Sequence, residues 1–169
     1  MPSMNELEEL ALRLGQALSA RGELMVAAES CTGGWLAQTV TSVAGSSGWF
    51  DRGFVTYSNA AKQEMLGVPE TTLARHGAVS EATARAMAQG AIEHSGGHWS
   101  VAITGIAGPD GGTADKPVGT VCFAWALRDN GCEAQTCHFS GVRAEVREQA
   151  VRHGLNGLLK RILAANMIA

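Results

Sequence analysis

Leu7, Leu10, Ala11, Leu14, Ala17 and Leu18 recur at spacings of three and four, so they form one apolar stripe and predict an opening helix. Ser3 and Glu6 read as its capping box, and Gly22 as its stop. The period then changes. Leu24 to Ala28 is a short unbroken apolar run that predicts a buried strand, and Gly33-Gly34 opens a helix to about Val43, stopped by Ala44-Gly45-Ser46-Ser47-Gly48. Phe54-Val55-Thr56-Tyr57 is β-branched and aromatic, which predicts a second strand. Asn59 is placed to cap the helix that follows, which carries Lys62 and runs to Gly67-Val68-Pro69. A short helix from Thr71 to His76 precedes an Ala-rich one capped by Ser80 and reaching about His94. Trp99 to Thr104 predicts a third strand. Val118–Leu127 and Cys132–Phe139 flank Asp129-Asn130-Gly131, a strong hairpin signal. From about Arg143, a last helix places Val151, Leu155, Leu158 and Ile162 on one face.

This order predicts an α/β fold: a single three-layer α/β/α domain over residues 1–169, with no repeat or linker. Its mixed sheet has parallel early strands and an antiparallel hairpin near the C-terminus.

Composition narrows the function. Hydrophobic residues make up 46% and charged residues 17%, as a chain with a real core requires. The formal charge of −3 argues against a partner bound through nucleic-acid phosphates. No apolar stretch approaches the roughly 20 residues of a membrane span, and the acidic, amphipathic start reads as neither a secretion signal nor a transit peptide. Cys31, Cys122, Cys132 and Cys137 lack CxxC spacing and read as free thiols of a cytoplasmic protein. The five histidines are scattered, and Gly96-Gly97 intervenes between His94 and His98, so no metal site is expected. Trp35, Trp49 and Phe50 lie near predicted loops, and a homodimer burying some of them is the expected assembly.

The candidate chemistry falls at strand ends. Glu29-Ser30-Cys31-Thr32 follows the first strand, Tyr57-Ser58-Asn59 with Lys62 the second, and Thr104-Gly105 with a glycine-rich loop the third. Ligands of open α/β sheets bind at the carboxyl ends of strands, so three converging ends would assemble a pocket. Taken singly, each residue has a plain alternative. Ser30 suits a helix cap, Lys62 a solvated surface, and Cys31 a packed thiol. The loop matches neither G-x4-G-K-[ST] nor G-x-G-x-x-G, but N–H groups around Gly105, Gly108, Gly111 and Gly112 are able to hold a phosphate or an oxyanion. Tyr57 and Lys62 are five apart and miss the Tyr-x3-Lys spacing of short-chain dehydrogenases.

Together, "AESCTGG", "GFVTYSNAAK" and "GIAGPDGG…KPVGTV" resemble the CinA C-terminal domain family, over about residues 5 to 165. The resemblance implies a nicotinamide-nucleotide amidase: nicotinamide mononucleotide and water give nicotinic acid mononucleotide and ammonia, in pyridine-nucleotide recycling. It implies no cofactor and no metal. Catalytic positions carry over onto Ser30, Ser47, Tyr57 and Lys62, with Thr104 in the third motif and Arg143 as a basic position suited to the substrate phosphate. Thr32, Gly33, Asn59, Gly105, Gly108 and Gly112 complete the expected substrate-binding set, with Glu29 facing either the cationic ring or backbone. A serine beside a neutral lysine supplies nucleophile and base, with N–H groups after Ser30 as oxyanion donors. The motifs leave open whether Ser30 or Ser47 attacks, with a lean to Ser30. They also leave two rivals: a non-catalytic pyridine-nucleotide-sensing module and a competence-associated accessory protein.

Overall fold

The computed structural model describes residues 4–166. In chain order it contains α1 (Glu6–Arg21), β1 (Met25–Glu29), α2 (Trp35–Thr41), a 3-10 turn (Ser46–Gly48), β2 (Phe50–Val55), α3 (Asn59–Leu66), α4 (Glu70–His76), α5 (Glu81–Glu93), β3 (Trp99–Gly105), β4 (Thr120–Leu127), β5 (Cys132–His138) and α6 (Arg143–Asn166). The sheet order is β2-β1-β3-β4-β5. β1 runs parallel to both β2 and β3, and β3-β4 and β4-β5 are antiparallel. This is the expected mixed sheet, with helices on both faces.

Side-chain alternation explains the two layers. Met25, Ala27, Val101, Ile103, Val121, Phe123 and Trp125 enter one core with the apolar faces of α1, α2 and α6. Val26, Ala28, Ala102, Cys122, Ala124 and Ala126 face α3, α4 and α5. Small residues dominate that second face of the sheet, and α5 answers with Ala84, Ala88 and Ala91. Helix and sheet can therefore approach closely, and Ser100 Oγ donates to the Ala88 carbonyl at 2.8 Å. On α6, Val151, Leu155, Leu158 and Ile162 are fully buried, each worth about 1.5–3 kcal/mol of transfer free energy.

Several boundaries differ from the sequence reading. The capping box of α1 is Asn5 with Glu8, not Ser3 with Glu6, and Ser3 lies outside the described residues. The longer-range rule is the same one: a side-chain acceptor at the cap and a carboxylate three residues on. Ser58 rather than Asn59 caps α3, because Asn59 is already helical and Ser58 Oγ accepts from Ala61 N–H at 3.0 Å. β2 begins at Phe50, four residues before the predicted Phe54, and ends at Val55. Asp51 and Gly53 are poor strand formers, but the ladder to β1 pairs Phe50, Arg52 and Gly53, with a register shift at Asp51. Trp49, expected near an interface, is 4% exposed and belongs to the first core. Ser80 caps α5 as predicted, accepting from Thr83 N–H.

Candidate active site

Because β2, β1 and β3 are parallel neighbours, the chain leaves all three at the same edge of the sheet. Connections from β1 and β2 depart to opposite faces there, which leaves a crevice above β1. A cavity of about 170 Å³ sits at this point, lined by Ser30, Cys31, Tyr57, Lys62, Ala78, Val79, Thr104, Gly105, Ala107 and Arg143. Wider clefts of about 400 and 460 Å³ open along α5. Among the described residues, neither of them holds a hydroxyl or thiol hydrogen-bonded to a base.

Lys62 is a buried amine in the cavity wall. It leaves the first turn of α3 and is 1% exposed. Its Nζ lies 2.9 Å from Ser30 Oγ, 2.8 Å from the Thr56 carbonyl and 3.5 Å from the Tyr57 carbonyl. Among the described residues, no carboxylate forms an ion pair with it. Burial penalises the ammonium and lowers the Lys62 pKa from the ordinary lysine value. Ser30 is 8% exposed and is held by its backbone, its N–H donating to Ile103 and its carbonyl accepting from Gly33 N–H.

Gly33 and Gly34 have φ of 59° and 104°, so two consecutive left-handed residues turn the chain from β1 into α2. Side chains are strained in that region, and the glycines permit the turn. Glu29, on the last residue of β1, completes it. Its carboxylate is fully buried and accepts from Thr32 Oγ1 at 2.7 Å, Leu36 N–H at 2.9 Å and Ala37 N–H at 3.0 Å. The α2 cap, Gly34, has no side chain to offer, so Glu29 caps the helix from the preceding strand. Of the two roles open to Glu29, the fold gives it the backbone. The Thr32 hydroxyl is committed to the same network, and the Leu36 and Ala37 N–H groups at the helix start are occupied.

Cys31 lines the cavity, but burial pushes its thiol up to about 12. It is packed and protonated, as the sequence reading had it. Tyr57 is 64% exposed, and its hydroxyl accepts from Arg143 Nη2 at 3.2 Å. Only its carbonyl faces Lys62. Arg143 Nη1 donates to the Gly108 carbonyl at 2.7 Å, which braces the mouth of the cavity between α6 and the glycine-rich loop. Thr104 lines the floor with its hydroxyl donated to the Ala78 carbonyl at 2.8 Å.

The fold does not bring every candidate together. Ser47 is exposed in the 3-10 turn that precedes β2, whereas Lys62 follows β2. Six residues of strand lie between them, about 20 Å at 3.3 Å per residue. Within one chain, Ser47 stands at the opposite end of the sheet from Lys62. Asn59 is exposed on the first turn of α3, Gly33 is exposed toward Arg147, and Gly112 packs against Val118. None of the three lines the cavity. Arg147, which no motif singled out, donates from Nε and Nη2 to the Cys31 and Thr32 carbonyls. It is 116 residues from Cys31 in sequence, so no local signal reports it.

Comparison with known proteins decides the family. The model of the CinA C-terminal domain matches residues 7–162. The chain belongs to the CinA C-terminal domain family. It is 54% identical over 160 residues to the nicotinamide-nucleotide amidohydrolase PncC of Escherichia coli strain K12, covering 94% of this chain and 96% of that one. It is 50% identical to the nicotinamide-nucleotide amidohydrolase PncC of Enterobacter agglomerans, covering 95% and 98%. Among solved structures, the competence/damage inducible protein CihA from Agrobacterium tumefaciens superposes with a TM-score of 0.91 at 44% identity, over 95% of this chain and 98% of that one. The CinA fold is thus shared along almost the whole length. Among the described residues, no three His, Cys, Asp or Glu side chains are grouped to hold a metal ion, all four cysteines are free, and no helix is long and apolar enough to cross a membrane.

Proposed function

We propose that the protein deamidates nicotinamide mononucleotide to nicotinic acid mononucleotide and ammonia, with Ser30 as nucleophile and Lys62 as base. The reading belongs to cytoplasmic pyridine-nucleotide recycling and requires no metal or cofactor. Near-full-length similarity to proteins named nicotinamide-nucleotide amidohydrolase supports the reaction. The 2.9 Å contact between Lys62 Nζ and Ser30 Oγ carries the mechanism.

A neutral amine has two N–H donors and one lone pair. Around Lys62 Nζ stand two carbonyl acceptors, of Thr56 and Tyr57, and one hydroxyl, of Ser30. With both N–H groups given to the carbonyls, the lone pair is left for the Ser30 proton. Burial favours this uncharged form. Ser30 Oγ attacks the carboxamide carbon as its proton passes to Lys62, and the C–N bond breaks as Lys62 returns the proton to the departing nitrogen, releasing ammonia. Water then attacks the ester carbon as Lys62 takes its proton, and the ester C–O bond breaks as Lys62 passes that proton to Ser30 Oγ, restoring both residues; the acid released gives its own proton to solvent and leaves as the carboxylate. The positive pyridinium ring of the bound mononucleotide further disfavours a protonated lysine.

A module that only sensed the nucleotide would not need a buried lysine against a serine. The test is ammonia release from nicotinamide mononucleotide by the purified protein. Turnover is expected, with a loss of about 10²–10⁴-fold in Lys62→Ala. Ammonia no faster than in the protein-free control would contradict the reading.

A further inference from the structure

Arg147 lies one helical turn beyond Arg143 on α6, yet it approaches the nucleophile loop from outside the cavity. Its Nε donates to the Cys31 carbonyl and its Nη2 to the Thr32 carbonyl, each at 3.1 Å. The guanidinium carbon stands 5.4 Å from the centre of the Trp35 ring, so α2 supports the same group. Two carbonyls of adjacent peptides are thereby fixed by one planar fork, a task to which a lysine ammonium is poorly suited.

Fixing these carbonyls fixes the amides behind them. In a trans peptide, the N–H points opposite to the carbonyl of the preceding residue. The Thr32 N–H is therefore turned away from Arg147. The Gly33 N–H, paired in the same way with the Thr32 carbonyl, donates to the Ser30 carbonyl at 3.0 Å and closes the turn. Among the described residues, neither the Thr32 N–H nor the Cys31 N–H donates to another residue. The first N–H groups of α2 that could have served instead, those of Leu36 and Ala37, are taken by Glu29. Cys31 and Thr32 thus carry the uncommitted amides that follow Ser30 directly.

Resting on the amidohydrolase reading, we propose that Arg147 is a positioning residue: through the Cys31 carbonyl it holds the Thr32 amide, and through the Thr32 carbonyl and the Gly33 N–H bond to the Ser30 carbonyl it holds the Cys31 amide, both in place to receive the oxyanion formed when Ser30 attacks. Arg147 itself does not line the cavity and acts through the loop. Its contribution therefore belongs to the transition state, where the negative oxygen exists, and not to the binding of the neutral carboxamide.

The experiment is steady-state kinetics of full-length wild type, Arg147→Met and Arg147→Lys on nicotinamide mononucleotide across pH. A displaced oxyanion site predicts a kcat loss of about tenfold to hundredfold in Arg147→Met, with KM changed by less than about threefold. Arg147→Lys, which keeps charge and can reach one carbonyl, is expected between the two. The pH at which activity rises should be unchanged in both, since Lys62 is untouched. If Arg147→Met fails to fold, the same kcat-selective loss in Arg147→Lys supports the inference. A kcat equal to wild type in the folded variants overturns it, as does a loss lying wholly in KM or a shifted pH limb. A wild type that releases no ammonia overturns the reaction itself and this inference with it.

Discussion

Lys62 Nζ stands 2.9 Å from Ser30 Oγ at a site where the lysine is 1% exposed and no acidic side chain among the described residues pairs with it. Thirty-two residues separate the two in sequence, and the parallel pairing of β1 with β2 brings their strand ends side by side. A solvated lysine near a serine would be protonated and useless as a base at neutral pH, so the proposed mechanism depends on the burial of Lys62.

The lowered Lys62 pKa predicts an activity limb that rises with pH, with its midpoint below the ordinary lysine value of about 10.4. Lys62→Arg should be inactive at every pH, because guanidinium stays protonated. The same shift affects stability. Between the lowered folded value and the unfolded value, the unfolded chain binds more protons, so wild type gains stability relative to Lys62→Met as pH rises through that window. Below the window the difference should be flat. Urea midpoints of both proteins over a pH series measure it.

Glu29 should matter to the fold before it matters to chemistry. Glu29→Gln places an amide nitrogen where one of three donors now finds a carboxylate oxygen. A loss of about 1–3 kcal/mol is expected, measured by denaturant unfolding. Stability equal to wild type would mean that α2 does not depend on this cap.

Cys31 is adjacent to Ser30, the proposed nucleophile, and its own thiol is poorly suited to that role. With its thiol pushed up to about 12, the thiolate is a trace species at neutral pH. Cys31→Ala should keep turnover within about tenfold, since only packing is altered. A loss comparable to that of Lys62→Ala would return the nucleophilic role to the thiol.

Arg143 places a guanidinium at the cavity mouth with two of its five N–H donors engaged by Gly108 and Tyr57. The remaining donors suit the phosphate of the mononucleotide. Arg143→Ala should raise KM for the mononucleotide by about tenfold to hundredfold and leave the dephosphorylated riboside nearly unaffected. Equal losses on both substrates would show that the bracing of Tyr57 and Gly108 is its whole role.

Local signals carried much of this architecture. The apolar stripe of α6, the Ser80 cap and the polar residues clustered after β1, β2 and β3 were legible because each depends on residues a few positions apart. Ser30, Lys62, Tyr57, Thr104 and Gly105 meet at one cavity for the reason the strand ends suggested, and Arg143, indicated by the family resemblance alone, joins them from the start of α6. What sequence could not supply was direction through space. Ser47 is 15 residues from Lys62, but a whole strand lies between, so proximity in the chain hides a separation of about 20 Å. Glu29 read either as a ligand group or as a backbone partner, because the donors it accepts from, the Leu36 and Ala37 N–H groups, are brought to it only once α2 forms. Arg147 gave no signal, since its partners lie at the far end of the chain and are backbone atoms.

The nucleophile can be identified by trapping. Rapid quench of wild type with nicotinamide mononucleotide, followed by mass spectrometry of the digested protein, should find one substrate-derived acyl group on the peptide carrying Ser30. Ser30→Ala should form none and lose turnover, while Ser47→Ala should trap the group normally and turn over within about twofold of wild type, as expected of an exposed residue remote from the site. An acyl group on Ser47, or an active wild type that yields no acyl group under conditions that trap ester intermediates, would contradict the assignment of Ser30 as the attacking residue.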